Sequence, residues 1–73
     1  MSDGKWLKGL GDVNLNGLYL RTAKATACLP EGIIVYCIMD DDYEFRVRTT
    51  QVYNGVLEFV FDSDMKDYFE IYI

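Results

Sequence analysis

The residues of this chain whose type and spacing could do chemistry are five aspartates in two short runs. Asp40, Asp41 and Asp42 form the first; Asp62 and Asp64 flank Ser63 in the second. Tyr43 and Glu44 follow the first run, and Asp67 and Tyr68 follow the second. Clustered carboxylates can focus a negative potential that steers and holds a basic partner. They can also ligate a hard divalent cation, although no EF-hand spacing is present. The plain alternative is that aspartate favours turns and that charged turns keep strand edges soluble. The partner-binding set selected by the first reading is Asp40, Asp41, Asp42, Tyr43, Asp62, Asp64, Asp67 and Tyr68.

Other chemistry is sparse. The chain has no histidine, so the common serine and cysteine triads and two-histidine metal sites are excluded. Gly4, Gly9 and Gly11 have neither the spacing nor the preceding strand of a phosphate loop. Cys28 and Cys37 are too few for a disulfide framework or a sulfur-only zinc site, and they read as two reduced core thiols. No catalytic residue, cofactor or metal ligand is expected, and the chain reads as a non-enzyme. The net charge of −5 is uneven: residues 31–73 carry ten acids against three bases. Such a balance argues against direct binding of nucleic acid, which relies on clustered Lys and Arg.

The acidic runs need strands to position them, and the clearest are on either side of Asn54-Gly55. Apolar and polar residues alternate from Tyr43 to Val52 and from Val56 to Asp62, which predicts a β-hairpin. A two-residue turn would pair Tyr53 with Val56 and place Val47 opposite Asp62, mixing both faces. A three-residue loop with Gly55 left-handed pairs Val52 with Val56, Val47 with Phe61 and Thr49 with Phe59, and sets Arg46 against Asp62. The second register segregates polarity and charge, so the bulged loop is expected. Phe45, Val47, Phe59 and Phe61 then share one buried face.

Around this hairpin the remaining elements follow in order. Residues 1–17, rich in Gly and Asn, read as an irregular arm pinned by Trp6 and the leucines. Leu18 to Leu29 places Tyr19, Leu20, Ala23 and Ala27 on one stripe before Pro30-Glu31-Gly32, which predicts a helix. Ile33 to Met39 carries no polar residue and reads as a strand covered on both faces. Lys66 to Ile73 alternates, with Phe69, Ile71 and Ile73 inward and Tyr68, Glu70 and Tyr72 outward on an edge strand that is open to pairing with another chain. The expected architecture is α+β: one domain over 1–73, with a helix at 18–29 packed on a four-stranded antiparallel meander over 33–73. An all-β small barrel, with residues 13–29 as strands, is the alternative. In a meander alternate turns share one end of the sheet, so the two acidic runs should converge.

At 73 residues, half of them hydrophobic, the chain suits one small folded domain, expected to be a monomer. No apolar run reaches the ~20 residues of a membrane span, and Met-Ser-Asp-Gly-Lys-Trp lacks the apolar stretch of a signal peptide, so a cytoplasmic protein is expected. In length, acidic balance, and the order of Gly-rich arm, Leu18–Leu29 helix and four strands, the chain resembles the small transcription regulators of bacteriophages, such as one from a phage of Xanthomonas. That resemblance implies binding to host RNA polymerase near the start of its β′ subunit, with inhibited initiation and suppressed termination. It carries over no binding residue. Two other readings stand beside it: an acidic decoy that mimics DNA to inhibit a host defence nuclease, and a structural module that self-associates through its last strand.

Overall fold

The structure, a computed structural model, describes residues 6–7, 13–41 and 43–72. Within them the chain forms six strands and one short 3₁₀ helix. The strands are β1 (Trp6–Leu7), β2 (Tyr19–Thr22), β3 (Ile34–Asp40), β4 (Glu44–Tyr53), β5 (Val56–Asp62) and β6 (Phe69–Tyr72), with the 3₁₀ segment Ser63–Tyr68 joining β5 to β6. All lie in one antiparallel sheet of order β1-β6-β2-β3-β4-β5. The expected α+β fold is therefore overturned: the helix at 18–29 is absent. The sheet is open rather than a hydrogen-bonded barrel, but residues 19–22 do form a strand, as the all-β alternative held.

The helix fails for local and tertiary reasons. Its stripe relied on Ala23 and Ala27, which offer little area to bury, whereas burial in β2 alternates with Leu20 and Thr22 inward. The threonines also bond locally in ways that compete with helix. Thr22 Oγ1 donates to Pro30 O at 2.7 Å and accepts from Ile33 N at 2.7 Å. Thr26 Oγ1 accepts from Leu29 N at 2.8 Å, closing an ordered turn. Finally, β2 has a partner on each side, pairing Leu20 with Val35 of β3 and with Ile71 of β6. Two ladders of backbone hydrogen bonds outweigh a modest helical preference.

That insertion corrects the last strand as well. Because β6 lies between β1 and β2, it is not an edge. Tyr68 belongs to the 3₁₀ segment rather than to β6, while Glu70 faces outward as expected, opposite Arg21, and is buried on that face. Trp6 and Leu7 are the described part of the expected arm inside the sheet; residues 1–5 and 8–12 lie outside the described residues. β3 is covered on one face only: Val35 and Cys37 are buried while Ile34 and Tyr36 are exposed.

The sheet curls so that its two halves share a core. Phe69 of β6 meets Phe45 of β4 edge-on at 5.4 Å and Phe61 of β5 at 5.3 Å, although two and three strands respectively lie between them in the sheet order. Leu15, Leu20, Leu29, Val35, Val47, Phe59 and Ile71 complete the core. Burying such side chains is the main stabilising term, about 1.5–3 kcal/mol for each large one.

The hairpin departs from both registers considered above. Its tip is a two-residue turn with Tyr53 opposite Val56, and Asn54 (φ 53°) and Gly55 (φ 80°) are both left-handed, the geometry of a type I′ turn. The irregularity lies lower, between Arg48 and Tyr53 of β4, and below it Val47 faces Phe59 and Phe45 faces Phe61. The expected pairing of Val47 with Phe61 is thus wrong by two residues. The expected face is right: Phe45, Val47, Phe59 and Phe61 are all buried, and Gly55 has positive φ. Leu57, at the widened tip, is exposed.

Candidate functional site

The two acidic runs do meet. Asp41 Oδ1 accepts the N–H groups of Tyr43 and Glu44, both at 2.8 Å, so the β3–β4 turn is an Asx-type turn built by its own side chain. These bonds, Tyr43 first, hold the Asp41 carboxyl below the usual aspartate range. Ser63 N donates to Tyr43 O at 2.9 Å, and Glu44 sits opposite Asp62 in the ladder. The first run is therefore fastened to the start of the 3₁₀ segment, which carries Asp64 in its first turn. Asp41, Asp62, Asp64 and Asp67 are exposed, and Tyr43 is the most exposed large hydrophobic among the described residues, at 82 %. Asp42 lies outside the described residues.

Asp40 belongs to the interior instead. Its side chain is 3 % exposed, and its Oδ2 accepts from Lys66 Nζ at 2.9 Å and from Leu15 N at 2.7 Å. Lys66 Nζ also donates to Val13 O at 3.2 Å. This buried pair ties the segment before β2 and the 3₁₀ segment to the end of β3. An aspartate so engaged is a strut beneath the acidic end, and its removal from the partner-binding set is a correction. Sequence reasoning missed it because Lys66 is 26 residues away and nothing local marks the pair.

Tyr68 is also corrected. It is half-buried against the core, and Lys24 Nζ lies 4.4 Å from its ring centroid. The exposed end thus runs from Asp41 and Tyr43 through Asp62 and Asp64 to Asp67, with a cation–π pair at its far limit.

On the outer face of the sheet, charges alternate in sign. Arg21 pairs with Glu70 at 2.7 Å and stacks over Trp6 at 4.4 Å; Arg48 pairs with Glu58 across β4 and β5. The hydrogen bond from Arg48 lowers the Glu58 carboxyl from its ordinary range. Tyr19 and Tyr36, in edge contact at 5.1 Å, extend this face with exposed aromatic area. A shallow cleft of about 370 Å³ is lined by Arg21, Thr22, Ala23, Glu31, Gly32 and Glu70. Of its three charged residues, Arg21 and Glu70 already neutralise each other.

The thiols have different surroundings. Cys37 is buried, as expected, and burial pushes its thiol up from the ordinary range. Cys28 is exposed, which corrects its reading as a core thiol. Among the described residues no group of three or more Cys, Asp or Glu side chains is arranged to hold a metal ion, and no helix is long and apolar enough to cross a membrane. No protein-family model, curated protein or solved structure matches the chain.

Proposed function

We propose that this chain is a non-enzymatic protein-binding module whose acidic end engages a basic surface of its partner. The observation that carries the reading is the fastening of the Asp41–Glu44 turn to Asp62 and Ser63, which groups exposed carboxylates around the exposed Tyr43 ring. A rigid aromatic ring amid carboxylates suits a compact basic contact: the acids accelerate encounter and the ring supplies contact area. The finer version is a phage modulator of bacterial RNA polymerase, working in the cytoplasm of the host. It rests on the resemblance in length, charge and arm, now without the helix that formed part of it. A DNA-mimicking decoy is less well supported, because Arg21 and Arg48 interrupt the acids of the sheet face.

The test is binding to purified bacterial RNA polymerase across a salt series, with the variant Asp41→Asn/Asp62→Asn/Asp64→Asn beside the parent chain. Asp40 is left intact because it is part of the fold. The association rate of the variant should fall about tenfold or more at low salt, and the difference should shrink as the Debye length contracts toward ~8 Å at physiological ionic strength. Where polymerase does not bind, the same variant serves as the control bait for capture from bacterial lysate. Equal capture by parent and variant at low salt refutes the acidic-end reading.

A further inference from the structure

The strand β5 closes one side of the sheet and, among the described residues, pairs only with β4. Its outward backbone groups can be assigned. Ser63 N donates to Tyr43 O, and Leu57 O accepts from Thr49 Oγ1 at 3.3 Å, so odd-numbered residues of this stretch turn their polar groups toward β4. Alternation along the ladder then aims the N–H and C=O of Glu58, Val60 and Asp62 outward. Native edges of this kind are usually blunted by Lys, Pro or an inward charge. The stretch Val56-Leu57-Glu58-Phe59-Val60-Phe61-Asp62 contains none of these, and Val56, Leu57 and Val60 are each exposed by more than 40 %.

Charge selects the occupant. A second copy of the chain brings its own net charge of −5. In the two-fold register centred on Val60 it would also set Glu58 against Asp62 twice, which like-charge repulsion disfavours. The edge instead complements a strand with basic residues opposite Glu58 and Asp62, four positions apart. Apolar residues opposite Phe59 and Phe61 would extend the core face, because side chains on one face recur every second residue. We infer that β5 accepts an extended segment of a partner protein as an added antiparallel strand, of the pattern basic–apolar–any–apolar–basic. The inference rests on the basic-partner reading above and names the shape of the partner's contact: its strand would run past Asp62 to the acidic end at Tyr43 and Asp64. Main-chain bonds would supply affinity and the two bases would supply register.

The probe is a synthetic ten-residue peptide with Lys-Val-Thr-Val-Lys at its centre, titrated into ¹⁵N-labelled full-length chain and followed by amide hydrogen exchange. Strand addition should slow exchange of the Glu58, Val60 and Asp62 amides at least tenfold while leaving Phe59 and Phe61, already bonded to β4, little changed. Val60→Pro removes the central outward donor at a position where an edge strand tolerates proline, and should abolish the protection. In case that variant unfolds, the same peptide N-methylated at its outward-bonding amides tests the bonds with the chain intact. Binding without protection of the three amides, or undiminished by both changes, overturns strand addition and leaves the acidic-end reading to its own salt test. Absence of binding at millimolar peptide overturns it too. Protection that appears with rising protein concentration and no peptide also overturns it, by making a second copy the occupant.

Discussion

Removing Lys66 should damage this protein far more than removing the charge of its partner Asp40. Lys66→Met leaves a carboxylate whose side chain is 3 % exposed, with one oxygen already lacking a hydrogen-bond partner. An uncompensated buried charge of this kind costs about 3–5 kcal/mol. Asp40→Asn is gentler: the amide oxygen still accepts from Leu15 N, and the Lys66 ammonium, at the end of a flexible stem, can move toward water. Its expected cost is about 1.5–3 kcal/mol, that of a net hydrogen bond to a charged group. A 73-residue chain at roughly 0.05–0.15 kcal/mol per residue has about 4–11 kcal/mol in all. Lys66→Met therefore takes a large share, lowering Tm by at least ~12 °C at 4–8 °C per kcal/mol. The double variant should recover most of the loss, because no buried charge is left unpaired. Urea unfolding of the four proteins closes the cycle and isolates the coupling. Equal costs for the two single variants, or a Lys66→Met cost under about 0.5 kcal/mol, would show that the pair is solvated and the strut reasoning mistaken.

Three further outcomes follow from the packing. Phe45→Ala, which vacates the contact among Phe45, Phe61 and Phe69, should cost about 3–5 kcal/mol by urea denaturation and leave little folded chain. Gly55→Ala meets no neighbouring atom but must hold φ near +80°; it should cost about 1 kcal/mol with the sheet amide resonances below the Arg48–Glu58 pair unshifted. At pH 8 a maleimide should label Cys28 within minutes and Cys37 only on unfolding, as read by mass spectrometry of the folded and urea-treated chain. The acid side of the stability profile has a worked sign. Asp41 is depressed in the folded state, so its contribution is complete above the unfolded value of about 3.9 and is lost as pH falls through the lower folded value. Asp41→Asn should flatten that part of the profile, and an unaltered slope below about pH 4 would argue against the turn bonds.

What the amino-acid order determined by itself is everything set by alternation and turn chemistry. The face carried by Phe45, Val47, Phe59 and Phe61, the left-handed Gly55 and the convergence of the acidic turns all follow from period two and from Asn-Gly and Asp-rich punctuation. Tertiary structure decided what those rules leave degenerate. A slip of two residues keeps every side chain on its face, so polarity could not distinguish Val47 opposite Phe61 from Val47 opposite Phe59, and buried Thr49 beside the irregularity in β4 marks where the difference is absorbed. Residues 18–29 were open to helix or strand on local preference, and the vacant ladders of β3 and β6 resolved them by pairing with Tyr19–Thr22. The same insertion placed the last strand inside the sheet and left β5 as an edge among the described residues, and the curl of the sheet drew Asp40 out of the acidic end and onto Lys66. Each of these outcomes depends on contacts between residues distant in sequence, whose free energy no window along the chain contains.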